Sequence, residues 1–431
     1  MEKISFCINT AKNELEYIKL LLKSMDKNLR YDNHEIIIFV DSDNQGTFEW
    51  LKNNKNKFNR FKFNIINNNT GNPVGYQANS NYMFSLANNE IVALIQSDMV
   101  IGKDFDFHII ENMEENKVLS GARIEPPLHT SSPDKYTENF GLTPEEFKFD
   151  EFNEFCEKNK KDDISEFFGL PWITYKKNWD KVGGFDTAFR WGKEDLDISN
   201  RFKLAGINAK TVWSALIYHF TCVSSRGETW YDNTNESNLI VECQSRADKY
   251  ETRKFIRRWR YHPGFDRPTF RYKTTANIHT DILSDWMTLL KIEPFFDKIY
   301  VDNPILVDHV LHHQKDEHMH VNWRLGFGNY GKDFWKNHYQ YINIDNIKDK
   351  FIISDGIEIE NDDVLIDFKL NDITNENALF FGQLNNFIND TDCGYYHSDV
   401  FQIHLTNKVN NIDDYIKVSN PSINKLEFEN G

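Results

Sequence analysis

The sequence has few cysteines and little positive charge, and both shortages narrow the classes of protein it can belong to. Five cysteines are scattered over 431 residues without a CxxC pair, which argues against a disulfide framework and against a zinc site. The formal net charge of −16 argues against a nucleic-acid partner, because phosphate backbones require concentrated Lys and Arg. Unpaired cysteines are typical of a reducing compartment, so we expect a cytoplasmic protein.

Long apolar runs and two phosphate-binding motifs are also missing. No run approaches the roughly 20 apolar residues that a membrane helix needs, so we expect no transmembrane segment. The first residues, MEKISFCINT, lead directly into a strand, and we expect no signal peptide. Neither GxGxxG nor GxxxxGK[ST] occurs, which argues against a dinucleotide fingerprint and against a P-loop.

The first hundred residues alternate between short β-branched runs and amphipathic stretches. Hydrophobic residues make up 40% of the chain and aromatic residues 14%, enough for the cores of two domains. Strand–helix alternation at this spacing predicts an α/β fold with a mostly parallel sheet. The predicted strands are 4–9, 35–40, 61–66 and 91–96, and the predicted helices between them are 14–25, 46–58 and 75–89.

The sequence changes character twice after this region. Residues 125–165 are polar and acidic, with several prolines, and are interpreted as an excursion over the sheet with one helix near 145–160. After this excursion, the sequence predicts a strand at 171–177, a helix at 194–206 and a strand at 209–219. We place a first domain at 1–254 and a smaller C-terminal α+β domain at 255–431, which can be subdivided near residue 340.

Polar residues follow each predicted strand of the first domain. Ligands of parallel sheets bind at the carboxyl ends of the strands, and acids at that edge suggest a divalent cation. The residues concerned are Thr10 and Glu14 after the first strand, Asp41 and Asp43 after the second, Gly71 after the third, and Ser97 and Asp98 after the fourth.

Several segments together resemble family 2 glycosyltransferases of the GT-A fold, which is Rossmann-like. The resemblance covers about residues 3–225; the C-terminal half resembles no family that we can name. It implies an inverting transfer of a sugar from a UDP-sugar donor to a hydroxyl of a glycan or glycoconjugate acceptor, assisted by Mn²⁺ or Mg²⁺. The segments are VDSD, NNTGNPVGYQANSN, IQSDM, VGGFDTAFRWGKEDLDISNRFKLAG and YH.

The resemblance also implies roles for individual residues. In the family pattern, Asp195 is the catalytic base and Glu194 contacts the acceptor. Asp98 and His219 fall at metal-site positions, and Asp41 falls where an acid accepts the imide proton of uracil. The nucleotide-sugar pocket is implied to include Thr10, Glu14, Ser97, Gly71 and either Asn79 or Asn81. Trp172 and Trp191 are candidates for stacking on a sugar ring there.

One departure from the family pattern concerns the metal motif. The family commonly has Asp at both ends of DxD, whereas this chain has Gln96-Ser97-Asp98. A Gln carbonyl can meet a hard cation without supplying charge. We therefore expect weaker metal binding than in members with both acids.

Simpler interpretations compete with several of these roles. Asp195 could be an acid favoured at a helix start, His219 a plain strand end, and either tryptophan a core residue. We interpret Asp197 and Arg201 as a surface ion pair. RKFIRRWR (253–260) and the histidines at 309, 312, 313, 318 and 320 are interpreted as solvated surface.

Two other functions remain open. A sugar nucleotidyltransferase would need a Gly-rich loop with Lys or Arg after the first strand, and NTAKNE fits that poorly. A non-catalytic glycan-binding or nucleotide-sugar-binding protein that kept the fold is supported only by the loss of the first DxD acid.

Overall fold

The computed structural model divides the chain into two compact units, which are described separately. The first comprises Met1–Arg190, Asp197–Cys243 and Tyr415–Gly431, and the second Trp191–Leu196 and Gln244–Asp414. The domain boundary at 254/255 stays a prediction, and the subdivision near 340 lies outside the described residues. The structure describes residues 2–41, 43–69, 74–128, 133–166, 169–189, 192–221, 223, 251–261, 272–314, 346–353, 364–374, 376–406 and 429–430.

The first unit contains an eleven-stranded sheet, and helices connect many of its strands. Its strands are Ile4–Thr10 (β1), Glu35–Asp41 (β2), Lys62–Asn68 (β3), Ile91–Gln96 (β4), Met99–Ile101 (β5), Lys117–Glu125 (β6), Lys135–Thr137 (β7), Ile164–Ser165 (β8), Trp172–Tyr175 (β9), Asn208–His219 (β10) and Glu429–Asn430 (β17). Its helices are Leu15–Asn28 (α1), Thr47–Asn54 (α2), Tyr76–Leu86 (α3), Phe105–Glu111 (α4), Phe149–Asn159 (α5) and Lys176–Lys181 (α6), followed by Glu194–Leu204 (α7), whose first three residues are grouped with the second unit.

The strand order of this sheet is β17-β3-β2-β1-β4-β9-β6-β10-β5, with β7 beside β6 and β8 beside β10. Strands β3, β2, β1 and β4 pair in parallel, as do β6 and β10. The antiparallel strand β9 lies between these two blocks. The predicted α/β fold built on a largely parallel sheet is confirmed.

Side-chain alternation along the central strands explains why helices cover both faces of the sheet. On β1, Ile4, Phe6 and Ile8 join one apolar cluster with residues of α1, while Cys7 between them joins another with residues of α3. Successive side chains of a strand point to opposite faces. Because both faces are apolar, the strands appear as continuous hydrophobic runs, which is typical of a parallel sheet.

The Asp197–Arg201 pair is buried, so its interpretation as a surface ion pair was wrong. Both side chains are 0% exposed, and the guanidinium donates to Asp197 Oδ2 from Nη2 at 2.6 Å and from Nε at 2.9 Å. Nη1 also donates to the carbonyls of Val182 and Gly184 in the GGFD turn. The i,i+4 spacing places the two side chains on one helix face but does not reveal that this face packs on a turn.

The GGFD turn is held from a second side by α3. Asn81 donates to Phe185 O and accepts from Phe185 N, at 2.9 and 2.8 Å. Gly184 has φ +69°, and a Cβ there would collide with the Asn81 side chain. A residue with a side chain at this position would therefore be strained and would also break the contact.

The second unit has a six-stranded sheet of its own, as predicted for a C-terminal domain. Its strands are Thr274–His279 (β11), Lys298–Val301 (β12), Phe351–Ile353 (β13), Val364–Lys369 (β14), Gly394–His397 (β15) and Gln402–Leu405 (β16). Its described helices are 251–259 (α8), Trp286–Ile292 (α9), Pro304–His313 (α10) and Leu379–Asp390 (α11). The order is β13-β12-β11-β14-β16-β15; the first four strands are parallel and the last two antiparallel.

The basic run RKFIRRWR lies mostly inside the second unit, so its interpretation as a solvated run was wrong. Arg257 donates from Nη2 to the fully buried Glu293 at 2.9 Å. Arg253 donates to Leu290 O at 2.6 Å, and Arg260 donates to Asp297 at 2.7 Å. Arg253 and Arg257 lie on α8 and Arg260 directly follows it, and all three bind groups between residues 290 and 297.

The histidine cluster is described only in part. His309 and His312 are exposed on α10, while the His313 ring stacks on Trp286 with ring centres 4.2 Å apart. His318 and His320 lie outside the described residues.

Among the residues that the structure describes, no helix is long and apolar enough to cross a membrane.

We predict that Arg201→Met lowers the free energy of unfolding by about 3–5 kcal/mol, because Asp197 would be left buried without its partner. Urea-induced unfolding measures the change. The control is Lys148→Met, which breaks an exposed pair with Glu151 and should cost about 1 kcal/mol or less. Equal losses for the two variants would contradict a stabilising role for the buried pair.

Candidate active site

The carboxyl ends of β1 and β4 meet at one edge of the first sheet, where they bring together three of the predicted site residues. Asn9 is in register with Gln96, so the residues that follow them lie side by side. The Glu14 carboxylate accepts from Ser97 Oγ at 2.6 Å and from Ala11 N at 2.8 Å. Thr10 ends β1 at the same edge and is buried.

Glu14 is a buried acid beside a second acid. Burial, and to a smaller extent the charge of Asp98, raises the pKa of Glu14 to about 7, against the opposing hydrogen bond from Ser97. A carboxyl group with such a pKa exchanges its proton near neutral pH. The two acids at this edge therefore favour a neighbouring positive charge.

Asp41 accepts hydrogen bonds from the end of β3 and from residues at and before the start of α3. One carboxylate oxygen accepts from Asn68 Nδ2 at 2.6 Å and from Val74 N at 3.2 Å. The other accepts from Gly75 N at 3.0 Å, Val74 N at 3.1 Å and Asn79 Nδ2 at 3.1 Å. The structure thus brings Asp41, at the end of β2, together with Asn79 in the first turn of α3.

Asp98, His219 and Glu125 form a line across three adjacent strand ends. His219 Nε2 lies 3.6 Å from Asp98 Oδ2, and His219 Nδ1 lies 3.1 Å from Glu125 Oε1. The backbone fixes this order: His219 is in register with Met99 of β5, and its neighbour Tyr218 with Ile124 of β6. The predicted pair of Asp98 and His219 is therefore accompanied by a second acid, Glu125.

Glu125 was missed by sequence reasoning. Burial alone would raise the pKa of Glu125, but the hydrogen bond to His219, the charge of Arg123 and the contact with Lys135 together hold that pKa well below its usual range. Lys135 Nζ lies 2.6 Å from Oε2. The available signal was an acid that ends the apolar run VLSGARI directly before Pro126.

Asp98 and His219 fit a divalent cation that takes most of its ligands from water and substrate. Carboxylate and imidazole are ordinary ligands of Mn²⁺, and Mg²⁺ commonly uses only one or two carboxylates together with substrate phosphates. Within the part of the chain that the structure describes, no three His, Cys, Asp or Glu side chains are arranged to hold a metal. Two protein ligands are therefore what this edge offers.

Glu194 and Asp195 open α7 and have different environments. The turn before them uses Gly192 at φ +147° and Lys193 at φ +70°. Glu194 Oε2 is shielded from solvent, without a hydrogen-bond partner among the described residues. The Asp195 side chain is exposed and accepts from Leu196 N at 2.7 Å.

The pKa of Glu194 is raised to about 8, first by burial and then by the charges of Asp195 and Glu251. At neutral pH this carboxyl group is therefore mostly protonated and can donate a hydrogen bond. Two adjacent acids, one shielded and one exposed, are an arrangement that can divide hydrogen-bond donation and proton acceptance between them.

Trp172 packs in the core rather than on an open surface. It is 2% exposed, and its ring centre lies 5.2 Å from that of Phe185, which favours packing over stacking on a sugar. Gly71 and Trp191 lie outside the described residues, so their roles stay predictions.

Comparison with known protein families gives a match in the N-terminal part of the chain. Residues 7–194 match the sequence model of glycosyl transferase family 2. This confirms the resemblance on which the site residues were chosen. A search of curated protein sequences found no match.

Solved structures give distant likenesses. One is Staphylococcus aureus TarS 1–349, at 17% identity and a TM-score of 0.37, over 50% of this chain and 60% of that one. Another is GalNAc-T7 with UDP, GalNAc and Mn²⁺, at 12% identity and a TM-score of 0.40, over 59% and 51%. The mannosyltransferase PcManGT from Pyrobaculum calidifontis, in complex with GDP-Man and Mn²⁺, aligns at 14% identity and a TM-score of 0.37, over 52% and 58%.

These three alignments cover 51–60% of the solved chains. At such identities and TM-scores the likenesses identify neither a donor nor an acceptor for this protein.

The raised pKa of Glu194 predicts a pH-dependent stability difference. The folded state binds this proton more tightly than the unfolded chain, whose Glu has an ordinary pKa of 4.5. The stabilisation is complete below that value and is lost as the pH rises through about 8. The side chain of Glu194→Gln cannot ionise. The melting temperature of this variant minus that of the wild type should therefore increase as the pH rises.

The melting temperatures of both proteins should be measured between about pH 4 and about pH 9. The difference at the lowest pH serves as the internal control, because both side chains are then neutral. A difference that stays constant across the range would mean that Glu194 is not held protonated by its surroundings.

Proposed function

Because residues 7–194 carry a family 2 glycosyltransferase domain, we propose that this glycosyltransferase moves a sugar from a UDP-sugar to a hydroxyl of a glycan or glycoconjugate, with inversion. The observation that carries the proposal is the convergence of Asp98 and His219, 3.6 Å apart, at neighbouring strand ends of the first sheet. A carboxylate and an imidazole at this edge are suited to a cation and hence to a diphosphate leaving group.

The donor side is assigned to the first unit. A bound Mn²⁺ or Mg²⁺ would neutralise the charge that grows on the diphosphate, and Asp98 and His219 are the residues that would hold it. Thr10, Glu14 and Ser97 line the nucleotide-sugar pocket in this proposal. Gln96 contributes no charge, so metal binding should be weaker than with an acid there.

Asp41 is proposed to recognise the uracil base. Its carboxylate already accepts from backbone and amide N–H groups, so the imide proton would have to replace one of them. The contact from Val74 N to Oδ1, at 3.2 Å, is the longest of these and the easiest to replace. Asn79 keeps the other oxygen in place from α3.

The acceptor side is assigned to the acid pair. Asp195 removes the proton from the acceptor hydroxyl as that oxygen attacks the anomeric carbon. Glu194, which keeps its own proton at neutral pH, donates a hydrogen bond to the acceptor. The exposure of Asp195 supports this division, because an acceptor can reach its carboxylate from solvent.

We also propose that the second unit binds the acceptor or supports assembly. In its sheet, β11 and β14 are adjacent and lie where the strand order reverses, which is where open α/β sheets bind ligands. At that point Asn277 Nδ2 contacts Asp367, and His279 Nε2 lies 3.2 Å from both oxygens of the same carboxylate. Groups of this kind bind the hydroxyls of a saccharide.

Neither alternative function gains an observation of its own. The family match is compatible with a nucleotide-sugar-binding protein that has lost its activity. However, both adjacent acids, Glu194 and Asp195 (the ED pair), are present. A nucleotidyltransferase would still lack its Gly-rich loop.

Replacing Asp195 with Asn tests the proposed base. General base catalysis contributes about 10²–10⁴-fold, so kcat should fall by that order, while the affinity for UDP measured by calorimetry stays unchanged. Steady-state kinetics at saturating donor, beside a melting curve, give the result. A near-normal kcat with a lowered melting temperature would mean that Asp195 is only a helix-start acid.

Glu194→Gln and Asp367→Asn serve as controls in the same kinetics. Both substitutions should raise the acceptor KM more than they lower kcat, because both residues are assigned to acceptor binding and not to proton transfer. If Glu194→Gln lowered kcat as far as Asp195→Asn does, the two acids would share the role of base.

A further inference from the structure

We infer that Glu125 is a positioning residue that fixes the His219 ring so that Nε2 faces Asp98. The inference rests on the proposed function, in that Asp98 and His219 are taken as the metal-binding pair. It assigns a role to an acid outside the ED pair and outside the Gln96-Ser97-Asp98 motif. The inference is carried by the line of contacts from Glu125 through His219 to Asp98.

Glu125 lies on the opposite side of the imidazole from Asp98. It contacts Nδ1 at 3.1 Å, whereas Asp98 lies 3.6 Å from Nε2. The two ring nitrogens point away from each other, so a cation on Nε2 beside Asp98 is out of reach of Glu125. Glu125 therefore acts on the cation through His219 and not as a ligand.

The surroundings of Glu125 keep its carboxylate charged and still. Its side chain is 4% exposed. Lys135 Nζ lies 2.6 Å from Oε2, and Arg123 Nη1 lies 3.2 Å from Oε1. A carboxylate held between two cations only accepts hydrogen bonds, so it draws the imidazole proton to Nδ1.

The consequence for His219 is a defined tautomer. With its proton on Nδ1, a neutral imidazole presents an unprotonated Nε2 to a cation held beside Asp98. Carboxylates that accept from the far nitrogen of a ligating histidine orient the ring and raise its basicity. Because Gln96 supplies no charge, we expect the metal affinity to depend more on His219, and hence on the orientation of its ring, than in a site with a second acid at that position.

The strands explain why this arrangement is rigid. Glu125 ends β6, His219 ends β10, and Asp98 directly precedes β5; β10 pairs with both neighbours. Phe220 N also donates to Asp98 O at 3.0 Å. The three side chains therefore project from neighbouring backbone positions that are held by the sheet itself.

The test measures binding of Mn²⁺ alone to the full chain, from the electron paramagnetic resonance signal of free Mn²⁺. Glu125→Ala should weaken binding by about 10–100-fold, the effect of losing such a partner. Glu125→Gln should weaken it less, because the amide oxygen still accepts from Nδ1. Lys135→Met is the matched control: it removes a partly buried contact of Oε2 but leaves Oε1 with both Arg123 and His219, so the ring should stay oriented.

A double variant separates this role from independent binding. On a His219→Ala background, Glu125→Ala should produce no further loss of Mn²⁺ affinity, because Glu125 acts only through that ring. A further loss would make Glu125 a ligand in its own right and overturn the inference. So would a Lys135→Met protein that binds as weakly as Glu125→Ala.

A second readout does not depend on metal. In protein labelled with ¹⁵N-histidine and free of metal, the His219 resonances, assigned with His219→Ala, should show the Nδ1–H tautomer. Glu125→Ala should lose this preference, and Lys135→Met should keep it; an unchanged tautomer in Glu125→Ala overturns the inference. If the tautomer depends on Glu125 but the wild type binds no Mn²⁺, the positioning role stands and the metal part of the proposed function fails.

Discussion

The parallel pairing of β1 with β2 and β4 is the constraint on which the candidate site depends. Parallel strands end at the same edge, so three separate stretches of sequence deliver their polar residues to one place. This is why Thr10 and Glu14, Asp41, and Ser97 and Asp98 lie at a common edge although up to 88 positions separate them. Apolar side chains on both faces of these strands hold the edge in place.

Two further strand blocks complete the edge. β6 and β10 form a second parallel pair, and β5 returns antiparallel beside β10, which sets His219 between Glu125 and Asp98. The resulting edge combines acids with one imidazole. In the second unit, His279 and Asp367 lie on the adjacent parallel strands β11 and β14, where the strand order of that sheet changes direction.

Much of the first domain could be predicted from sequence because its signals are local. The strands of the first hundred residues differ from their predicted bounds by two residues or fewer, since short β-branched runs between amphipathic stretches leave little freedom. The predicted strand at 171–177 ended early, because α6 starts at Lys176. Asp98 and His219, which the family pattern places at metal-site positions, lie 3.6 Å apart.

Other features depend on contacts that no local pattern reveals. Arg201 and Arg257 have the spacing of surface charges, yet their partners are a turn and Glu293, and the burial of a helix face is decided by what packs on it. Glu125 was missed for the same reason: the contact that suggests its role is with His219, which is 94 residues away. The different surroundings of Glu194 and Asp195 likewise arise only when α7 is placed.

The central claim is inverting transfer from a UDP-sugar, and the anomeric configuration of the sugar first released tests it most directly. The protein would be incubated with Mn²⁺ and a panel of α-linked UDP-, GDP- and ADP-sugars, with water as the acceptor, and followed by proton NMR before mutarotation. The account predicts release of UDP from a UDP-sugar, with the β-anomer appearing first. Release of the α-anomer first, or a preference for a GDP- or ADP-sugar, would contradict it.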